Sequence, residues 1–188
     1  MDDTLLARLA DDVDGSFEAF VLAEQHFVFG VALRLTLDRY DAEEVAQEAF
    51  VRAYRALTDY QPDRIRALRV RPWLARITLN VQRNRVRRRR DVVPLDTGPP
   101  LSTPDAEGPE ARAETASWRD ACAEWLASLP EPYRLAVALR HVDGLSYGEV
   151  AQVLDRPVGT VKAQVHRGLG MLRDIVDQAG GRAWKEGA

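Results

Sequence analysis

LSYGEVAQVLDRPVGTVKAQVHR, residues 145–167, is the stretch whose reading decides the fold. Ser146 precedes Glu149 by three residues, the spacing of a capping box that satisfies free backbone N–H groups at a helix start. Val150, Ala151 and Leu154 then supply one apolar stripe. Asp155-Arg156-Pro157 ends that helix, because proline cannot continue it but suits the first turn of another. Val161, Val165, Leu169 and Leu172 recur at the spacing of a buried helical stripe. At ~100° per residue, Thr160, Ala163, Gln164 and Arg167 fall on roughly the opposite face. That face is small, polar and basic. Two short helices joined by a tight turn, the second with such a face, form the helix-turn-helix plan for the DNA major groove. A helical hairpin inside an all-α domain would read the same way locally, so the rest of the chain must decide.

The chain of 188 residues has room for one large domain or two small ones. With 46% hydrophobic and 29% charged residues it has the composition of a globular protein. No apolar run approaches the ~20 residues that span a bilayer, and the acidic start MDDTLLARLADDVDG lacks the pattern of a signal peptide. The single Cys122 excludes an internal disulfide and any cysteine-rich zinc site. A cytoplasmic location is the expectation. The net charge of −3 conceals a segregation. Twelve acidic residues stand in 1–50 against three arginines, while 61–90 holds eleven arginines against Asp63 alone. Such a split predicts one basic partner and one polyanionic partner.

Helical periodicity runs almost throughout and strand signals are nearly absent. Phe17, Phe20, Val21, Phe27, Val28, Val31 and Leu35 stripe a first long helix. A second is expected from Asp41, which stands at capping-box spacing from Glu44, with Val45, Ala49, Phe50, Ala53 and Leu57 inward. Residues 60–71 read as a loop with at most one helical turn. Pro72 opens a third helix, with Trp73, Leu74, Ile77 and Val81 on its apolar side. The stretch 91–114 holds five of the ten prolines and six acidic residues, the composition of an extended acidic linker. Helix resumes near Ala113, and another starts at Pro130 or Pro132, runs to His141 and stops at Asp143-Gly144. The expected fold is all-α: two small helical domains, 1–90 and 115–178, a proline-rich linker over 91–114, and a frayed tail over 179–188.

Enzyme readings are thin. His26, His141 and His166 lie far apart and none has a second ligand at metal-binding spacing. Glu44 and Glu48 share one helix face, but the Glu-x-x-His of di-metal bundles is missing, as are phosphate loops and nucleophile elbows. The expectation is no catalysis, no metal and no cofactor. The third helix is more telling. Arg76, Asn80, Arg83 and Arg87 form a basic stripe free of acid, which suits phosphate better than solvent.

AEEVAQEAFVRAYRAL, PWLARITLNVQRNRVRRRR, LPEPYRLAVALRHVDGLSYGEVAQVL and PVGTVKAQVHRGLGMLR occur in that order around an acidic linker. Together they resemble an extracytoplasmic-function (group IV, sigma-70 family) bacterial RNA polymerase sigma factor, over about residues 16–90 and 118–176. The resemblance implies that the acidic helix docks on the β′ coiled coil of core polymerase through Asp41, Glu43, Glu44, Gln47 and Glu48, with Arg52 beside them. It implies that the loop and third helix bind the −10 promoter element and hold a base from the melted strand. The matching positions are Tyr60, Arg64, Arg66, Arg69 and Arg71, then Trp73, Arg76, Asn80, Arg83, Asn84 and Arg87. No aromatic lies between Tyr60 and Trp73, where relatives often have phenylalanine. The helix-turn-helix would read the −35 element through Arg156, Thr160, Lys162, Ala163, Gln164, His166 and Arg167. Expected partners are the polymerase β′ and β subunits, promoter DNA and an anti-sigma protein. The competing reading is an independent dimeric helix-turn-helix regulator, which would leave the acidic helix and the Trp-Leu motif without a task.

Overall fold

The computed structural model describes residues 3–92 and 113–178. Every regular element among them is helical. Helix α1 (Asp3–Asp11) was not foreseen; it buries Leu9 and packs on the helices that follow. Asp12 then caps α2 (Val13–Thr36) by accepting a hydrogen bond from Gly15 N at 2.9 Å. By length and mean composition alone α2 would reach across a membrane, although Glu18, Glu24 and His26 interrupt its apolar sequence. Its Phe20, Phe27, Val28, Val31, Ala32 and Leu35 are instead buried in the helical packing, which gives the stripe its physical reason.

Helix α3 (Arg39–Thr58) begins earlier than the spacing implied. Its cap is Asp38, whose carboxylate accepts from Asp41 N at 2.8 Å. Asp41 therefore lies inside the first turn, free to point at another helix. The inward residues Val45, Ala49, Ala53 and Leu57 are buried as expected. After the short α4 (Pro62–Arg66), α5 (Val70–Val92) starts two residues before Pro72. Proline is tolerated there because first-turn N–H groups need no intrahelical partner.

The second half comprises α6 (Ala113–Ser128), α7 (Glu131–Val137), α8 (Tyr147–Leu154) and α9 (Val158–Gln178). Most of the expected linker, 93–112, and the expected tail, 179–188, lie outside the described residues. Helix α7 does not run on unchanged to His141; it widens into a π-helical turn, Ala138–Val142. Asp143 N bonds Ala138 O at 3.0 Å, and Gly144, at φ 73°, takes the left-handed step that a side chain would resist.

The opening stretch folds as its residues imply. Ser146 and Glu149 form both halves of the capping box. Asp155 adopts the left-handed conformation at φ 55°, ending α8, and Val161 N bonds Pro157 O as α9 begins. One stripe position differs from expectation. Leu169 is 39% exposed, and Gly168 is buried in its place. Only glycine fits there, since a Cβ would stand 2.6 Å from Val137 Cγ2. The two halves also do not keep separate cores. One continuous cluster of buried side chains runs from Leu9 and Phe20 through Leu74 and Leu79 to Leu135, Val150 and Val165.

Candidate nucleic-acid interface

The basic stripe of α5 divides in two. Arg76, Asn80, Arg83 and Arg87 all face solvent, and among the described residues the three arginines have no ion-pair partner. Asn84 is half-buried beside them. Arg85 and Arg89 turn the other way, onto α3. Arg85 bonds Asp41 at 3.3 Å and also bonds Glu44, while Arg89 holds Asp41 through both its terminal nitrogens, at 2.8 and 3.1 Å. The Arg89 hydrogen bonds hold the Asp41 carboxyl below its ordinary range, and Arg85 does the same to Glu44. Arg85 and Arg89 lie one turn apart, as do Asp41 and Glu44, a spacing match visible in sequence though no single helix reveals it.

The acidic face of α3 is thus internally paired. Glu43 bonds Arg39 at 3.2 Å and Glu48 bonds Arg52 at 2.8 Å, both within the helix. Gln47 is exposed between them, with Tyr40 and Val51 also exposed on this helix. Asp41 and Glu44 are tied to α5, a partnership the sequence expectation did not include.

Around α4 the expected loop residues gather. Arg64 stacks its guanidinium 3.6 Å from the Tyr60 ring centroid, and Tyr60 lies 6.3 Å from Trp73 at a tilted angle. An arginine on an aromatic face keeps its outer surface free to stack on a further ring. Arg66 is held by Asp63 at 3.0 Å and Asp11 at 2.5 Å. Arg71 bonds buried Glu24 at 3.2 Å and lies over Phe27. Arg69 reaches Glu149 of α8 at 2.5 Å. Three of the four loop arginines therefore have carboxylate partners, and Arg64 faces its aromatic neighbour.

On α9, Thr160, Lys162, Ala163, His166 and Arg167 are exposed and Gln164 is half-buried, as is Arg156 in the turn before the helix. The opposite side buries Val161 and Val165. Lys162 leans towards the Tyr147 ring, 5.8 Å from its centroid. The Gln164 Oε1 is shielded from solvent without a hydrogen-bond partner among the described residues, leaving an acceptor unsatisfied until something supplies a donor. Exposed Leu169 joins Cys122, Trp125, Leu126, Leu172 and Val176 around an apolar groove of about 500 Å³. No cluster of side chains suited to a metal ion occurs among the described residues.

An exposed basic stripe, an acidic helix beside it and a capped helix-turn-helix in one chain match two family models. Sigma-70 region 2 matches residues 20–92, and region 4 of sigma-70 matches 121–172. The RNA polymerase sigma-H factor of Pseudomonas aeruginosa is 33% identical over 193 residues, covering 95% of this chain and 93% of that protein. The ECF RNA polymerase sigma-E factor of Escherichia coli (strain K12) is 32% identical, covering 94% and 92%. The structure of CnrH in complex with the cytosolic domain of CnrY is similar at a TM-score of 0.64 and 28% identity, over 94% of this chain and 97% of that one. Two matched regions in order, with relatives aligned over nearly their whole length, leave an independent helix-turn-helix regulator unfavoured. The chain belongs to the sigma-70 family and is an extracytoplasmic-function RNA polymerase sigma factor, which directs promoter-specific initiation of transcription.

Proposed function

We propose that residues 1–90 act as the region-2 unit, docking on core polymerase and reading and melting the −10 element, and that 115–178 act as the region-4 unit reading the −35 element, with 91–114 joining them. In the first unit Glu43, Gln47, Glu48 and Arg52 meet the β′ subunit, with Asp41 and Glu44 behind them tying that face to α5. Arg76, Asn80, Arg83, Asn84 and Arg87 meet the −10 backbone. Tyr60, Arg64 and Trp73 offer flat surfaces for an unstacked base, whose extraction costs a few kcal/mol that stacking offsets. Arg66, Arg69 and Arg71 shape the loop through their ion pairs. In the second unit Thr160, Ala163, Gln164, His166 and Arg167 read bases, and Arg156 and Lys162 meet phosphate. The protein works by binding and performs no catalysis of its own, without metal or cofactor, in the cytoplasm where the chromosome is. An anti-sigma protein is a further proposed partner; the similar protein CnrH was solved in complex with another protein, the cytosolic domain of CnrY.

One observation carries this reading. On α5, the arginines that face α3 are paired with acids, while those on the open face are left without an ion-pair partner among the described residues. Unpaired like charges repel one another, and a phosphate backbone relieves that repulsion. The test adds the purified chain to sigma-free bacterial core polymerase and sequences the transcripts made from genomic DNA. Discrete start sites sharing a −10 and a −35 motif are expected. Transcripts no different from those of core alone would refute the reading.

A further inference from the structure

Helix α1 lies ahead of the matched region-2 segment, and the reading above gives it no task. It packs on α2 and on the short α4. Leu9 of α1 is completely buried, as is Ile65 of α4, and both belong to one core cluster against which Leu6 also packs. Asp11, the last residue of α1, bonds Arg66, the last residue of α4, at 2.5 Å.

Helix α4 is the element that needs this support. Five residues make little more than one turn, and the N-cap Gln61 offers no side-chain hydrogen bond. Fixing a first turn costs more backbone entropy than its hydrogen bonds return, so packing has to hold it. Successive side chains leave the helix about 100° apart. Ile65 goes into the core, Arg66 reaches Asp11 and Asp63, and Arg64 lies over the Tyr60 ring at 3.6 Å. Of the three flat groups offered to an extracted base, Tyr60 follows the 20-residue α3 and Trp73 stands within the 23-residue α5. Arg64 alone rests on an element too short to keep its own place. Groups that receive a ligand have to be held within about 0.5 Å of their productive geometry. A displacement of about 1 Å caused from a distance can cost about a hundredfold.

We propose that α1 positions the −10 loop: through Leu9 and Asp11 it fixes α4 and the Arg64 plane, and so sets selectivity for the extracted base without meeting DNA. This rests on the reading of Tyr60, Arg64 and Trp73 given above. Burial of Leu9 holds the body of α4. The Asp11–Arg66 pair is exposed and stabilises little, as surface ion pairs do, but it steers the end of the helix.

The test uses holoenzyme and a fluorescent single-stranded oligonucleotide carrying the −10 motif that the chain selects, with each base changed in turn. Discrimination is the ratio of dissociation constants for changed and selected base at the most selective position. Leu9→Ala should lower that ratio about tenfold, with core affinity and the −35 motif as in wild type. Leu9→Met, close in volume, should restore it. Asp11→Ala, at an exposed site that folds whatever Leu9→Ala does, should lower the ratio about threefold, and Asp11→Glu should restore it. Leu35→Ala is the control, the same truncation of a buried leucine. Nine residues of α1 span about 14 Å, while Leu35 lies about 33 Å along α2. It should lose stability and keep wild-type discrimination. Equal losses of discrimination in Leu9→Ala and Leu35→Ala would overturn the proposal, since general loosening would then explain both. Arg64→Ala separates the proposal from the reading beneath it. Wild-type discrimination in Arg64→Ala overturns the base-holding role itself. Lost discrimination there, beside wild-type ratios in folded Leu9→Ala and Asp11→Ala chains, overturns the role of α1 alone.

Discussion

Gly168 of α9 shows how much one missing methyl group decides. An added Cβ would meet Val137 Cγ2 at 2.6 Å and Tyr133 Cβ at 3.3 Å, so α7 would have to move. Gly170, two residues on, has open space around the same position. Gly168→Ala should destabilise the protein by about 1–3 kcal/mol through overpacking, whereas Gly170→Ala should stabilise it by about 0.5–1 kcal/mol through helix propensity. Denaturant midpoints of the two variants check this. Arg167 lies away from the Val161–Val165 side, while half-buried Gln164 and Lys162, which leans onto Tyr147, stand at its two flanks. Replacing Gln164 or Arg167 by alanine should relax preference at single −35 positions, each lost bidentate contact costing about 1–3 kcal/mol. Lys162→Ala should weaken all sequences alike. A −35 library selected against each variant reads the difference; a changed motif for Lys162→Ala alone would reverse the assignment. These side chains were legible in sequence because the capping box and Pro157 fix the phase of α9. The burial of Gly168 was not, since it depends on α7 crossing at that point.

Helix α5 carries two sets of arginines with different tasks. Arg83→Ala and Arg87→Ala should each lower the log–log salt slope of promoter binding by about 0.7–0.9. Arg85→Ala and Arg89→Ala should leave that slope unchanged and lower thermal stability instead, because they strip Asp41 and Glu44 of their partners. Titrating binding against salt, beside a thermal melt, separates the two classes. On α3, Glu43→Lys with Glu48→Lys should weaken core binding in a pull-down without disturbing α5, since their partners Arg39 and Arg52 lie on the same helix. Helix α8 adds a pH dependence. Glu149 accepts from the Ser146 hydroxyl at 2.7 Å, the Ser146 N–H at 2.8 Å and Arg69 at 2.5 Å, which together hold its carboxyl below the usual glutamate range. A carboxyl whose folded-state pKa is depressed gives its full stabilisation above its unfolded value and loses it as pH falls through the folded one. Glu149→Gln should therefore melt lower at neutral pH and lose less stability than wild type as pH falls below about 4.5, through the depressed range of Glu149. The helices themselves were readable from apolar spacing. The start of α3 was misread because Asp38 and Asp41 offer rival caps three residues apart, and only the backbone decides between them.

Across the whole molecule, what the sequence concealed is long-range. Arg34 and Asp143 stand 109 residues apart, and nothing local marks either as a partner. The acidic and basic halves were legible as charge blocks, yet part of that charge is consumed internally, Asp41 and Glu44 against Arg85 and Arg89. What remains exposed on α5 and α9 is the surface on which the account stands: one chain, two separate DNA contacts, set by two helices. The direct measurement places a photo-crosslinker at Arg83 and, separately, at Gln164, in holoenzyme assembled on a promoter that the chain selects. The account predicts crosslinks near −10 from the first position and near −35 from the second, about 25 base pairs apart on the same DNA. Crosslinks from Gln164 alone, repeated on palindromic half-sites about one helical turn apart, would contradict it.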